Sequence, residues 1–265
     1  MGRENSVNRF VEHDLRRGLV IEPSRRRDAV RESLIRAAKT HAPGVAVKLG
    51  AGEGELACAL AQHVSRKLVV IDPSYEALDL FRKKYAHDPA FGKIECVCGS
   101  FFALPVDYFK ADLVAVVDYL DLADSYRTVD EVVRVLRHEG ILFFGGVVLD
   151  DRDIEGAYDE FVHAANPFHN DYYLESDLET FLKLKNFSKI SSESARVKIS
   201  LGEWLAGWSG FAADGSDAAA ARDAIERSAE TFTSLYGWDG KDSLEEIGCT
   251  AVFRKNAYVE EEHKI

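Results

Sequence analysis

The sequence lacks any long apolar run. No stretch of about eighteen consecutive apolar residues, the length that crosses a bilayer as a helix, occurs among the 265 residues. The amino-terminal segment is charged and has no apolar core of the kind that secretory signals contain. We therefore expect no transmembrane helix and no membrane partner, and we expect the protein to be cytoplasmic.

Basic residues are scarce relative to acidic ones. Lysine and arginine number 33 against 45 aspartates and glutamates, which gives a formal net charge of −12. A field of that sign repels phosphate backbones, so we expect no nucleic-acid partner. The basic run Arg25, Arg26 and Arg27 is an exception near the start of the chain. It is either an anion-binding patch or the solvated face of a helix, and we favour the second interpretation.

Cysteine is also rare, with four residues at positions 58, 96, 98 and 249. In a cytoplasmic protein these are expected to be reduced thiols rather than disulfides. Cys96 and Cys98 have no second cysteine pair and no ordered histidines behind them, which makes a metal site improbable. Their side chains share one face if the segment is a strand, and we assign both to the core.

Short apolar runs alternate with amphipathic segments through the first 150 residues. A helix is predicted over 24–40, strands over 45–49, 67–72, 93–98, 111–118 and 140–149, and further helices over 53–65, 74–86 and 125–137. The strands are continuously apolar, so both of their faces must be covered. This pattern predicts a doubly wound, Rossmann-like α/β fold with a parallel sheet between helix layers.

The last third of the chain is less regular. A helix is predicted over 152–165, another from a capping box at Ser176, and strands over 189–200 and 248–255, which bring the sheet to seven strands. A helical insertion, or lid, is predicted over 200–246. The domain division expected is an N-terminal helical extension over 1–42, a main domain over 43–255 and a tail over 256–265.

Three glycines follow the first strand in VKLGAGEGELA, at positions 50, 52 and 54. Glycine permits a tight turn and lets the main chain approach a ligand closely, and the helix start behind the loop offers free N–H groups. Asp72 ends the second strand, where a carboxylate accepts hydrogen bonds from ribose hydroxyls. Loop and acid together predict a ligand that carries adenosine.

Two classes of ligand fit an adenosine site of this kind. Dinucleotide sites use G-x-G-x-x-G, in which the third glycine allows close packing of helix and strand. Glu55 holds that third position here, and its carboxylate would also repel a pyrophosphate. An NAD-dependent oxidoreductase is therefore disfavoured, and the spacing G-x-G-x-G favours the other class.

Further segments support the same choice. VVIDPS ends the second strand, VCGSFFALPV spans 97–106, and ADLVAVVDYLDL contains the fourth strand. Together with VAVKLGAGEG, and in this order, they resemble the motifs of the class I S-adenosylmethionine-dependent methyltransferases. SLGEWLAGW, with the helix that follows it, is similar to the ubiquinone/menaquinone methyltransferase-like group that acts on small molecules. The resemblance covers about residues 43–255.

This resemblance implies an enzyme that transfers a methyl group from S-adenosyl-L-methionine to a small molecule by in-line displacement. It implies that Asp72 binds the ribose, and that the Ser100 hydroxyl and the N–H group of Phe101 face the adenine. The cofactor-binding residues that it implies are Gly50, Ala51, Gly52, Asp72, Pro73, Ser100, Phe101 and Asp118.

Two positions depart from the pattern of that family. Lys48 stands where the first motif has an acid, and Ser100 stands where the third has an aspartate. A lysine repels the ammonium and sulfonium of the cofactor unless its head turns away or pairs with Glu53 or Asp118. Three interpretations stay open. The site binds S-adenosylmethionine, with other groups compensating for the two missing acids, or it binds a variant of this cofactor that carries an extra anionic group. In the third, the protein is non-catalytic and binds a nucleoside ligand or a protein partner.

Methyl transfer requires alignment and exclusion of water, and it requires a base only where the acceptor must lose a proton. His163, His169 and Tyr119 are the candidate catalytic residues. No metal is expected, although the acidic residues at 150, 151 and 153 leave a magnesium site open beside the plainer interpretation of a solvated loop.

Several aromatic residues lie in the last third of the chain. They either line an acceptor pocket or form the core of the insertion's own helices. The residues concerned are Trp204, Trp208, Phe168, Phe211 and the tyrosines.

Overall fold

The computed structural model describes residues 24–166, 169–208 and 216–257. Seven strands form one sheet: β1 (Val45–Leu49), β2 (Lys67–Asp72), β3 (Ile94–Cys98), β4 (Ala111–Val117), β5 (Leu136–Val147), β6 (Phe187–Ser200) and β7 (Ser243–Lys255). Their order across the sheet is β3-β2-β1-β4-β5-β7-β6. The seven-stranded, doubly wound sheet predicted from the sequence is confirmed. The exception to its parallel order is β7, which runs antiparallel to both β5 and β6.

Helices cover both faces of this sheet. They are α1 (Ser24–His41), α2 (Glu55–Ala61), α3 (Tyr75–Tyr85), α4 (Ser125–Val135), α5 (Ala157–Ala165), α6 (Glu175–Leu184), α7 (Leu201–Trp208), α8 (Ser216–Arg227) and α9 (Ala229–Tyr236). The last three lie between β6 and β7, inside the predicted insertion. Among the helices described, none is both long and apolar enough to span a membrane. The domain boundaries expected from the sequence stay a prediction.

Continuous apolar runs place the central strands inside the sheet. β1, β2 and β4 are buried along almost their whole length, since helices cover them on both sides. β3 is an edge strand, and there Cys96 is half-buried and Cys98 is exposed. The assignment to the core is therefore wrong for Cys98, because an edge strand has one open side, whereas Cys96 is partly buried and packs against the core.

Several predicted ends shift for local reasons. α2 begins at Glu55 rather than 53 because Gly54, just before it, holds a left-handed conformation with φ of 90°. α6 begins at Glu175, after Leu174, so the capping box at Ser176 is wrong. The N–H group of Ser176 instead donates to Asp151 Oδ1 at 2.9 Å. These shifts leave the order of the elements unchanged.

Candidate active site

The predicted site lies at the carboxyl ends of β1, β2, β3 and β4. Backbone hydrogen bonds join the segments that leave these strands: Gly50 N donates to Ile71 O at 2.7 Å, and Gly99 N donates to Asp72 O at 3.1 Å. Asp118, directly after β4, donates its N–H group to Gly145 O at 3.0 Å. The loops that carry the predicted cofactor residues are therefore held side by side at one edge of the sheet.

The three glycines of the loop after β1 all have positive φ, at 78° for Gly50, 51° for Gly52 and 90° for Gly54. A Cβ atom on Gly50 would lie 1.9 Å from Cε2 of Tyr119, and one on Gly54 would lie 2.2 Å from Cδ2 of Phe81. A Cβ atom on Gly52 would meet nothing within 4 Å. Gly52 is therefore the glycine of this loop whose backbone borders open space, and a ligand can approach it there.

Asp72 is fully buried and ties this loop to β2. Its Oδ2 accepts a hydrogen bond from Ala51 N at 2.7 Å, and its Oδ1 accepts one from Ser74 N at 2.8 Å. Burial raises the pKa of the Asp72 carboxyl, and the two hydrogen bonds and the charge of Lys48 oppose that rise. Each carboxylate oxygen has two lone pairs, so a further donor can still be accommodated.

Lys48 is buried, and its head turns back on its own loop. Nζ donates to the carbonyl oxygen of Gly50 at 2.7 Å. The two acids considered as its partners have other contacts: Glu53 lies 3.5 Å from Lys84 Nζ, and Asp118 accepts from Arg26. The charge of Lys48 also favours the ionised form of Asp72, which accepts a hydrogen bond from Ala51 N in the loop. Lys48 therefore helps to fix the loop both directly and through Asp72.

The remaining predicted cofactor residues surround this loop. The ring of Phe101 is buried and packs edge-on against Tyr119, with 5.2 Å between the ring centroids. The hydroxyl oxygen of Ser100 accepts from Phe102 N at 3.1 Å, which occupies one of its lone pairs. Pro73 is half-buried between β2 and α3, where its carbonyl oxygen lies 3.6 Å from Cys98 Sγ. Because the ring of Tyr119 lies next to Gly50 and also packs against Phe101, it separates Phe101 from the glycine loop.

A buried arginine from α1 reaches the same edge of the sheet. Arg26 Nη1 donates to Asp118 Oδ1 at 2.5 Å, and Arg26 Nε lies 2.9 Å from Glu246 Oε1 on β7. The solvated-face interpretation of the arginine run is therefore wrong for Arg26. Its position four residues before buried Val30 places it on the apolar face of α1, which is a signal that the sequence contains.

A cleft opens beside Asp118, at the ends of β4 and β5. Its enclosed volume is about 10 Å³, room for about one water molecule, and it opens to solvent, so its walls must move apart to receive an acceptor. Its lining includes the acidic residues Asp118, Asp121 and Asp171, the tyrosines Tyr172 and Tyr173, and residues at the end of β5 that are mainly apolar. The cleft is therefore a candidate acceptor pocket next to the predicted cofactor residues.

His169 lies beside this cleft, with a fully buried side chain. Nε2 is 2.7 Å from Asp159 Oδ1, and Nδ1 is 3.4 Å from Asp121 Oδ2. Burial would lower the pKa of this imidazole, but the two carboxylates outweigh it and raise the pKa to about 9. His169 is therefore an imidazolium at neutral pH, with no free lone pair to act as a base.

His163 lies on α5 and is partly exposed. Its Nε2 is 3.8 Å from Asp159 Oδ2 and 4.0 Å from Asp171 Oδ1. The two histidine rings contact each other at a centroid distance of 4.7 Å. The structure thus brings both histidine candidates together with acids that sequence spacing did not single out.

Trp204 and Asp153, which the sequence offered as site residues, have structural roles. Trp204 is 5% exposed and packs on Phe161, so it belongs to the core of the helices. Asp153 is buried, accepts from the hydroxyl of Tyr236 at 2.7 Å and accepts from two N–H groups at the start of α5. Asp153 is therefore a buried structural residue, which differs from both the magnesium ligand and the solvated loop residue considered from the sequence. Phe168, Phe211 and the side chain of Trp208 lie outside the described residues.

Comparison with known proteins agrees with this geometry. Residues 47–144 match the family model described as a methyltransferase domain. An uncharacterized methyltransferase of Schizosaccharomyces pombe is 29% identical over 96 residues, which are 36% of this chain and 36% of that protein. A methyltransferase-like protein of the same yeast is 28% identical over 109 residues, 41% of this chain and 39% of that protein. The matches span less than half the length of these curated relatives.

Solved structures extend the likeness to most of the chain. A candidate methyltransferase from Bacillus halodurans C-125 has a TM-score of 0.73 at 16% identity and covers 86% of this chain and 99% of its own. A geranyl diphosphate methyltransferase in complex with S-adenosylmethionine has a TM-score of 0.60 at 11% identity, with 86% and 84% covered. The [4+2]-cyclase SpnF has a TM-score of 0.63 at 18% identity, with 87% and 81% covered.

These low identities show the fold alone, and a cyclase among the neighbours shows that the fold hosts more than one reaction. The sequence resemblance to the family is nevertheless confirmed by the domain match and by the architecture. Residues 47–144 match the model of a methyltransferase domain, and the chain has the fold of the class I S-adenosylmethionine-dependent methyltransferases.

Proposed function

We propose that the protein is an S-adenosylmethionine-dependent methyltransferase that acts on a small molecule. The observation that carries the proposal is the loop at 50–54, whose Gly52 borders open space while Asp72 fixes the neighbouring residue, Ala51. A backbone without Cβ atoms beside a buried carboxylate suits the sugar and the chain of an adenosine ligand.

The residues present fit this cofactor. Gly50, Ala51 and Gly52 would form its cradle, Asp72 would accept from the ribose hydroxyls, and the segment at Ser100 and Phe101 would face the adenine. Bound there, the cofactor supplies a methyl group made electrophilic by the sulfonium. The ring of Tyr119 lies over Gly50, so we propose that Tyr119 shifts when the loop receives its ligand and then helps to exclude water.

The acceptor is proposed to bind in the cleft at the ends of β4 and β5. Asp118 belongs both to the predicted cofactor residues and to the lining of this cleft, which supports a position for the acceptor next to the cofactor. Catalysis then rests on alignment of the acceptor rather than on a base, because His169 is held as an imidazolium. The net charge of −12 supports the absence of a nucleic-acid partner, and four free cysteines support a cytoplasmic location.

Calorimetric titration of the purified protein with S-adenosylmethionine and S-adenosylhomocysteine tests the proposal. We expect saturable binding of one ligand per chain and a rise in the thermal midpoint with either compound. Absence of both heat and thermal stabilisation would contradict the proposal and favour a non-catalytic protein. Methyl transfer is then measured with a labelled methyl group against a panel of small acceptors.

Asp72→Asn is expected to weaken S-adenosylhomocysteine binding by about tenfold to a hundredfold, since hydrogen bonds to a charged group contribute about 1.5–3 kcal/mol. An asparagine head also cannot accept from both Ala51 and Ser74, because one of its two polar atoms is a donor. Titration calorimetry measures the affinity, and circular dichroism checks the fold.

Asp88→Asn is the matched control. Asp88 likewise accepts a backbone N–H group, from Ala90 at 2.8 Å, but it does so at the start of a short 3-10 helix (Pro89–Lys93) that follows α3 rather than at the end of β2. The affinity of the Asp88→Asn variant for S-adenosylhomocysteine is expected to equal that of the unmodified protein. Equal affinities in all three proteins would remove Asp72 from the site.

A further inference from the structure

Two histidines and an aspartate converge next to the proposed acceptor pocket. Asp159 and His163 are one turn apart on α5, so their side chains share a face of the helix, and His169 comes four residues after α5 ends. Their ligand atoms all lie within 4.8 Å of one another. Such a cluster is a group of metal-ligating side chains that the proposed reaction does not use.

We propose that Asp159, His163 and His169 bind a divalent transition-metal ion of the Zn²⁺ type, with Asp171 as the fourth ligand. This site goes beyond the proposed function and does not depend on it.

Distances between the ligand atoms support the proposal. At zinc bond lengths of 2.0–2.1 Å, two ligand atoms on a tetrahedral ion are about 3.3 Å apart. His169 Nε2 lies 2.7 Å from Asp159 Oδ1, His163 Nε2 lies 3.8 Å from Asp159 Oδ2, and the same His163 atom lies 4.0 Å from Asp171 Oδ1. Small side-chain movements therefore bring Asp159, His163 and His169 towards the tetrahedral separation, and Asp171 lies within reach of His163 as a fourth ligand.

The surroundings of these ligands also match a metal site. Metal-bound histidines usually donate their second ring N–H group to a carboxylate, which fixes the ring. Nδ1 of His169 faces Asp121 Oδ2 at 3.4 Å, on the side away from Asp159. Asp159 Oδ1 is fixed by Tyr172 N at 2.7 Å, which leaves Oδ2 towards His163. Both of these ligands are thus oriented by contacts outside the cluster.

The donor set decides the class of metal. Imidazole nitrogens suit Zn²⁺, Ni²⁺ and Cu²⁺, whereas Mg²⁺ and Ca²⁺ prefer ligand sets made of oxygen. On binding, the ion would displace the proton that His169 otherwise carries, and the carboxylates of Asp121, Asp159 and Asp171 would then leave negative charge for a divalent cation to neutralise. Because Asp121 and Asp171 also line the cleft, the ion would lie in the wall of the acceptor pocket.

Titration of tag-free, EDTA-treated full-length protein with Zn²⁺ tests the site. Calorimetry is expected to show one ion per chain, and Co²⁺ is expected to give the strong visible absorption of a tetrahedral complex. Mg²⁺ at the same concentration is expected to give no binding heat. No S-adenosylmethionine is added, so failure of the metal site and failure of the methyltransferase proposal are distinguishable.

His163 and Asp171 are the exposed ligands of the cluster. Variants at these positions are used because replacing an exposed side chain leaves the core intact. His163→Ala and Asp171→Asn are each expected to weaken Zn²⁺ binding by at least about tenfold. His87→Ala, an exposed histidine away from the cluster, is expected to leave the affinity unchanged. Absence of saturable binding at one ion per chain, or equal affinity in His163→Ala and the unmodified protein, would overturn the proposal.

Discussion

Replacing Arg26 with alanine is expected to lower the free energy of unfolding by about 3–5 kcal/mol, the usual cost of breaking a buried ion pair from one side. The Arg26 side chain is 9% exposed and that of Glu246 is 4% exposed, so water cannot replace the lost guanidinium. Asp118 loses its partner as well. Urea denaturation followed by circular dichroism at pH 7 measures the change.

Arg31→Ala is the matched control on the same helix. Arg31 lies 3.4 Å from Glu55, and both side chains are close to half exposed. Exposed pairs of this kind contribute about 1 kcal/mol or less. If the two variants lost equal stability, the buried contacts of Arg26 would not be the cause.

The decrease in the free energy of unfolding caused by Arg26→Ala is expected to become smaller as the pH falls. Burial raises the pKa of Glu246 in the native protein, and the charge of Arg26 opposes that rise. Without Arg26, the folded-state pKa of Glu246 moves further above its unfolded value of 4.5. The folded variant then binds a proton that the unfolded chain does not, so its relative stability increases towards pH 5. A loss equal at pH 5 and pH 7 would contradict this account.

Gly50→Ala is expected to destabilise the protein by about 3 kcal/mol. A φ of 78° costs a residue with a Cβ atom about 1–2 kcal/mol, and an overpacked site costs a further 1–3 kcal/mol. The new methyl group would lie 1.9 Å from the ring of Tyr119, so the ring or the loop must move. Thermal and urea denaturation measure the loss, and calorimetry with S-adenosylhomocysteine measures its effect on the site.

Gly52→Ala separates strain in the loop from contact with the ligand. A Cβ atom at Gly52 meets no protein atom within 4 Å, so only its φ of 51° costs stability, about 1–2 kcal/mol. The methyl group of Gly52→Ala points into space proposed for the cofactor, and the affinity for S-adenosylhomocysteine is expected to fall by about tenfold or more.

Adding Tyr119→Ala to Gly50→Ala is expected to recover the steric part of the stability lost in Gly50→Ala. Equal stabilities of the two glycine variants would argue against the packing of Tyr119 on the loop.

The sequence predicts the central sheet and the glycine loop well because local rules govern both. Continuous apolar runs need cover on both faces, and the glycines at 50, 52 and 54 form the expected turn, each with a positive φ. The ends of elements are harder to predict, since they depend on contacts such as that of Asp153 with the first turn of α5.

Residues that meet from distant segments are the ones that sequence reasoning misjudged. Arg26 looks like part of a charged surface run, but it is buried because Asp118 and Glu246 come to it from 92 and 220 positions further along the chain. His169 looks like a loop histidine, but Asp121 and Asp159 enclose it. Periodicity along α1 offered a signal for Arg26, whereas no spacing rule connects Asp121 with His169.

The position of β7 has a consequence for biosynthesis. This strand fills the gap between β5 and β6 and contributes Glu246 to the contact with Arg26 of α1. Residues 243–255 leave the ribosome after the other six strands of the described sheet have been made, so β5 and β6 each keep an unpaired edge towards the position of β7 until then. The loops around Asp118 gain their final support only when translation of the domain is almost complete, which ties maturation of the site to synthesis of its last strand.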